Sequence, residues 1–219
     1  MEDILVKLGH CVEFGKVNKD APYPPDMKGQ DGADELTQQA IAMGIKAKTI
    51  LDDALIAAMN RVGQKFTEKK IFIPQMLMSA KAMNAAIVHL KPFFSSGEIE
   101  RKGKFIIATV KGDLHDIGKN LVKMAIEGSG WEVIDLGVDV PAEKVMDAIV
   151  ANPNAKVGLS ALLTTTMANM QSTVETIKAK YPSNEVIIGG APVNEDFKMK
   201  IGADFYAPDP QSAVAYLNR

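Results

Sequence analysis

The chain has 219 residues, 47% hydrophobic and 24% charged, with a net charge of −2. That is the composition of an ordinary globular protein with room for one large domain or two small ones; it excludes the overall basic field that draws proteins to nucleic acid or anionic membranes. One cysteine, Cys11, excludes an intrachain disulfide, no apolar run approaches the roughly 20 residues that span a bilayer, and the acidic start Met1-Glu2-Asp3 is unlike a secretion signal, so a cytoplasmic protein is expected.

Residues 1–94 read as helices only. Ile4, Leu5, Leu8, Val12 and Phe14 mark a short amphipathic segment. The stretch 18–32, with Pro22, Pro24, Pro25, Gly29 and Gly32, forbids a continuous helix; it is either a flexible loop or a docking feature. Helical spacing resumes over 35–43 and again over 47–65, where Ile50, Leu51, Ala54, Leu55, Ala58, Met59 and Val62 share one face. A fourth helix is expected from Pro74 and to end by Pro92. Together these make a small bundle. Met76, Met78 and Met83 belong to a set of twelve methionines, which serve either as adaptable core filler or as a soft surface over a large ligand. Residues 95–103 are polar and glycine-bounded, as a linker would be.

From residue 104 to 219 the rhythm changes. Short apolar runs at 104–110, 132–136, 156–160, 185–189 and 203–206 alternate with helical patterns at 118–128, 141–151, 167–180, 193–200 and 210–218. Alternation of that kind predicts βαβ units and a parallel sheet covered on both faces. The expected fold is therefore α/β: an N-terminal helical bundle, then a flavodoxin-like (Rossmann-like) doubly wound sheet of five parallel strands in the order 2-1-3-4-5.

In that topology a ligand lies beyond the carboxyl ends of the strands, where the order reverses between the first and third. Three loops converge there. The first carries Asp113 and His115, the second Ser160 and Thr164-Thr165-Thr166, the third Gly189-Gly190. A carboxylate two residues from a histidine can accept from one ring nitrogen and leave the other as a lone-pair donor, the arrangement behind many metal-bound histidines. It equally suits a loop histidine bonded to its neighbour, or a Ser-His-Asp hydrolase. No Gly-x-Ser-x-Gly elbow is present to support the last. A conventional zinc site lacks ligands, because His10 and His89 lie in the helical part and Cys11 has no partner cysteine. A metal held here would take most of its ligands from a cofactor.

The run Asp113-Leu114-His115-Asp116-Ile117-Gly118 resembles the Asp-x-His-x-x-Gly signature of cobalamin-binding domains. Ser160-Ala161-Leu162-Leu163-Thr164 resembles that family's Ser-x-Leu-x-Thr segment, and Gly189-Gly190 its glycine pair. Lys70 to Leu77 and Ser79 to Met83 resemble the helical cap that precedes the corrinoid domain in the methyltransferase branch. The likeness covers nearly the whole chain except about residues 18–32.

The resemblance implies a base-off cobalamin with His115 as the lower axial ligand of cobalt and Asp113 behind it. A serine completes the relay in relatives, and Thr166 stands at the matching position here. Gly118 would leave room for the displaced nucleotide tail, Ser160 and Thr164 would bond its base, and Gly189 and Gly190 would allow close backbone approach; Asp116, Ile117 and Leu162 are further cofactor-binding residues, Asp116 with no assigned role. Phe72 and Met76 would cover the upper face of the corrin. It further implies a carrier of methyl groups, probed by methyltransferase partners and kept active by a corrinoid reductive activase, with no nucleic-acid or membrane partner. The alternatives are the cobalamin-binding subunit of an adenosylcobalamin mutase and a cobalamin-sensing regulator.

Overall fold

A computed structural model describes residues 2–219, the side chain of Glu2 excepted. The chain divides into two compact units. One comprises the residues up to Arg101 with Gly128–Gly130, the other Lys102–Glu127 with Trp131–Arg219.

The helical unit holds α1 (Glu2–Phe14), α2 (Ala33–Ala42), α3 (Ala47–Thr49), a π-helical stretch (Ile50–Ile56), α4 (Ala57–Thr67) and α5 (Ile73–Ser95). α1 packs against α2, α4 and α5. Leu8, Val12, Ala40, Ile50, Leu55, Ala58 and Leu90 recur at helical spacing and are buried. Two expectations are corrected. The third helix is continuous in course but widens over Ile50–Ile56, and the last helix does not end by Pro92. α5 runs to Ser95, because a proline in the final turn removes a single N–H donor, and the Ser96 N–H still reaches Pro92 O at 2.9 Å.

The proline-rich segment is pinned from within. Lys16 is fully buried and its Nζ donates to Ala21 O at 2.8 Å, while Glu35 accepts the main-chain N–H groups of Gly32 at 2.8 Å and Lys19 at 2.9 Å.

The second unit is a five-stranded parallel sheet: β1 (Lys104–Thr109), β2 (Glu132–Asp135), β3 (Lys156–Ser160), β4 (Val186–Gly189) and β5 (Phe205–Tyr206), in the order β2-β1-β3-β4-β5. α6 (Ile117–Gly128), α7 (Ala142–Ala151), α8 (Met167–Lys180), α9 (Glu195–Ile201) and α10 (Pro210–Leu217) alternate with the strands. Side chains alternate across the sheet. Ile106, Ala108, Val157, Leu159, Val186 and Ile188 form one core with α7, α8 and α9; Phe105, Ile107 and Ile187 form the other with α6 and α10. The expected doubly wound order is therefore the one present. β1 is central, and Val110 beyond its end still bridges Val140, which draws the loops after β1 and β2 together. No helix among the described residues is long and apolar enough to cross a membrane.

Candidate functional site

The β1–α6 loop is held on both sides before it reaches its histidine. Gly112, with φ of +82°, turns the chain, and its N–H donates to Asp139 Oδ1 at 2.7 Å. The Asp139 N–H in turn donates to Asp113 O at 2.9 Å. Asp113 is fully buried. Its Oδ1 accepts from His115 Nδ1 at 2.7 Å and from the His115 N–H at 3.1 Å. Its Oδ2 accepts from the Leu162 N–H at 2.8 Å, the Leu163 N–H at 3.3 Å and the Thr166 hydroxyl at 2.8 Å.

Burial by itself would push the Asp113 carboxyl up. The donors from Leu162, His115 and Thr166 outweigh it and hold the group well below the usual carboxylate range. Asp113 is thus an anion throughout the neutral range, and an anion can only accept. In the neutral imidazole of His115 the proton therefore sits on Nδ1, and the lone pair on Nε2. The imidazole is half exposed, and Nε2 has no protein partner among the described residues. Thr109, also fully buried, fixes the main chain of the same residue: its hydroxyl donates to His115 O at 2.9 Å.

His115 stands at the mouth of a cavity of about 560 Å³ on the face of the sheet covered by α6 and α10. Its floor is Ile107, Gly158, Ser160, Ile187 and Gly189; its walls are Gly118, Leu121 and Val122 of α6 and the stretch Ala207 to Pro210 leading into α10. Leu114, Ile117 and Leu162 share the mouth with His115 and are 72%, 70% and 42% exposed. Large apolar side chains exposed together around one imidazole mark a surface built to be covered.

Two glycines do opposite things. A Cβ on Gly118 would meet nothing within 4 Å, so the space beside it is open. A Cβ on Gly190, whose φ is +131°, would lie 1.8 Å from Ala161 O, so that glycine lets two loops of the protein abut.

The tertiary structure thus brings Asp113, His115 and Thr166 into one bonded chain, 53 residues separating the carboxylate from the hydroxyl. Asp116, Ile117, Gly118, Ser160, Leu162, Gly189 and Gly190 all line the cavity. Thr164 does not: it lies exposed on the single turn Thr164–Thr166. Phe72 is 65% exposed at the start of α5, whereas Met76 is 2% exposed and offers no surface to a ligand. Sequence reasoning missed Thr109, the main-chain donors of Leu162 and Leu163, and Gly158. The last had a signal, since a glycine inside a strand marks close approach: the Phe105 ring lies 2.4 Å from where a Cβ would be.

Residues 103–215 match the family described as B12 binding domain, and residues 30–91 match a second family of the same description. A trimethylamine corrinoid protein of Methanosarcina barkeri is 36% identical over 187 residues, covering 84% of this chain and 86% of that protein. Dimethylamine corrinoid protein 1 of Methanosarcina acetivorans is 38% identical over 169 residues, covering 76% and 79%. Among solved structures, the methanol:cobalamin methyltransferase complex of Methanosarcina barkeri contains a chain that aligns with a TM-score of 0.84 at 29% identity, over 99% of this chain and 79% of that one. A cobalamin-binding protein of Desulfitobacterium hafniense aligns with a TM-score of 0.74 at 31% identity, over 98% and 97%. With these matches spanning both units, and with a carboxylate-backed imidazole open at the carboxyl edge of the sheet, the chain belongs to the B12-binding family of corrinoid proteins.

Proposed function

We propose that this chain is a methyl carrier: it holds a base-off corrinoid and passes a methyl group from a substrate:corrinoid methyltransferase to a methylcorrinoid:acceptor methyltransferase. The observation that carries the reading is the Nε2 of His115, free at the cavity mouth while Nδ1 is bound to a buried carboxylate at 2.7 Å. The residues fit a corrinoid. Among the described residues no cluster of His, Cys, Asp and Glu could hold a metal ion by itself, so a metal at His115 needs a ligand set brought with it.

The bound cobalt supplies the centre that accepts and gives up the methyl group. The protein's own part is donation and shelter. His115 Nε2 would hold the cobalt, and Asp113, accepting from Nδ1–H, would strengthen it as a donor. The Thr166 hydroxyl has one proton and two acceptors, Asp113 Oδ2 at 2.8 Å and Leu163 O at 2.9 Å. Turned to the carboxylate it weakens that pull; turned to Leu163 it releases it. Leu114, Ile117 and Leu162 would shelter the corrinoid at the cavity mouth, Gly118 would leave a passage open, and the cavity would hold the nucleotide. Phe72 is the helical unit's candidate for contact with the corrin.

Partner methyltransferases would supply the substrate sites, and a corrinoid reductive activase would be a further partner. The names of the relatives, trimethylamine and dimethylamine corrinoid proteins and a methanol:cobalamin methyltransferase complex, support a small methylated amine or alcohol as the donor class. A reducing cytoplasm suits such a cofactor.

Reconstitution with hydroxocobalamin tests the reading. The expected result is corrinoid retained through desalting, with an axial nitrogen coupled to cobalt(II) in paramagnetic resonance and lost in His115→Ala. Failure to retain any corrinoid overturns it. A second substitution separates passage from folding. Gly118→Ala should leave stability unchanged or raise it by about 0.5 kcal/mol, since its Cβ meets no protein atom. Corrinoid affinity should fall by about tenfold or more; equal affinity by titration would show that nothing passes this glycine.

A further inference from the structure

The main chain leading to His115 is gripped from outside the cavity. Lys111 O accepts from Asn169 Nδ2 at 2.8 Å, the Gly112 N–H donates to Asp139 Oδ1 at 2.7 Å, and Asp113 O accepts from the Asp139 N–H at 2.9 Å. Three consecutive residues are thus each held by a bond from another loop or helix, and neither Asp139 nor Asn169 lines the cavity. Asp139 makes two of the three bonds. Its φ of +53° is left-handed, a conformation that aspartate adopts more readily than most residues, and in it one exposed residue presents both its N–H and its carboxylate to the β1–α6 loop. The anchor is itself fixed. The Thr109 N–H donates to Gly137 O and the Val140 N–H to Thr109 O, both at 3.0 Å. Asp135 Oδ1 accepts the Gly137 N–H at 3.0 Å, and the buried Lys119 holds the same oxygen through Nζ at 2.7 Å.

We propose that Asp139 is a positioning residue for His115: it sets where the Asp113–His115 pair stands on the sheet. The inference rests on the corrinoid reading of the site and adds a residue outside the cavity that prepares its ligand. The two sets of bonds act on different things. Those to the Asp113 side chain hold its charge and fix the proton on His115 Nδ1, but their partners Leu162, Leu163 and Thr166 lie on a loop as well. Those from Asp139 tie the main chain of Gly112 and Asp113 to a turn that is bonded back to β1 and β2. A ligand on a loop that is free to move loses that freedom on binding, and the loss weakens the bond it makes. Asp139 removes the freedom beforehand.

The test compares Asp139→Gly with Asp139→Asn in the whole 219-residue chain. Glycine keeps the left-handed turn and loses the acceptor, whereas asparagine keeps both the turn and an oxygen for the Gly112 N–H. In corrinoid-free Asp139→Gly, amide exchange at His115 and Leu162, whose N–H groups end on Asp113, should be about threefold faster or more, measured against the core strands β3 and β4. With hydroxocobalamin its affinity should fall about tenfold, which is about 1.4 kcal/mol. Part of the cobalt(II) should also lose the axial nitrogen coupling in paramagnetic resonance. Asp139→Asn should restore all three. Asn169→Ala, which frees only Lys111 O, should shift the same readings in the same direction by less, and it decides the matter if Asp139→Gly does not fold. A variant that is merely less stable, with affinity and spectrum unchanged, overturns the proposal, as does a loss that asparagine does not restore. Faster exchange in Asp139→Gly, where even the native chain retains no corrinoid, overturns the corrinoid reading and supports the positioning of His115.

Discussion

Asp113→Asn is expected to destabilise the α/β unit by about 3 kcal/mol and to abolish stable histidine ligation of cobalt. The carboxylate is fully buried and only accepts: Oδ1 faces the N–H and Nδ1 of His115, and Oδ2 faces Leu162, Leu163 and Thr166. An amide has one oxygen. Whichever way it turns, an NH₂ group points at donors, so one side exchanges charge-assisted bonds for a donor–donor repulsion. Bonds to charged groups contribute about 1.5–3 kcal/mol each, and losses within one network do not add. Urea unfolding measures the first effect and the cobalt(II) spectrum the second. An unchanged midpoint with an unchanged spectrum would remove Asp113 from the account.

The same carboxylate sets a pH dependence. Its folded-state pKa lies below its unfolded value of about 3.9, so its stabilisation is fully present above that value and is lost as pH falls through the folded pKa. The gap in unfolding free energy between the native protein and Asp113→Asn should therefore be level from neutral pH to about 4 and narrow only below it. A gap that narrowed between pH 7 and 5 would mean that another group, not this anion, holds the loops.

Gly190→Ala is the second substitution with a large expected effect, of about 3 kcal/mol. A φ of +131° is open to glycine and strained for other residues, and the added Cβ would lie 1.8 Å from Ala161 O and 2.8 Å from Ala161 C. The neighbour in the way is main chain, so relief requires moving the β3–α8 loop. That loop carries the Leu162 N–H, which donates to Asp113 at 2.8 Å. The clash should therefore be felt at His115, on a different loop, as a weaker axial nitrogen. Gly118→Ala is the contrast, since both add one methyl group but only one meets protein. Equal stability of the two variants in urea would refute the distinction.

The sheet could be read from residues alone because parallel strands covered on both faces must be apolar along their length. Phe105 to Ala108 and Val186 to Ile188 are such runs, and the helices between them follow from their spacing. Asp113 and His115 were legible because two residues of chain geometry suffice to pair them. The course of α5 was not. Pro92 reads locally as a stop, yet so near the end of a helix its missing donor removes only one bond. Phe72 and Met76 look alike as apolar residues at the start of one helix, and only packing separates an exposed side chain from a buried one.

What the sequence by itself determined was the order of elements, the crevice at which the order reverses, and a carboxylate beside a histidine. Those are set by periodicity and by neighbours in the chain. What only the tertiary structure decided was everything that crosses between loops. Thr166 reaches Asp113 across 53 residues, the Leu162 and Leu163 N–H groups point at it although main-chain groups leave no mark in residue identity, and Gly190 serves contact with Ala161. Sequence names the groups able to bond, but whether two of them stand 2.8 Å apart is set by how the sheet stacks its loops.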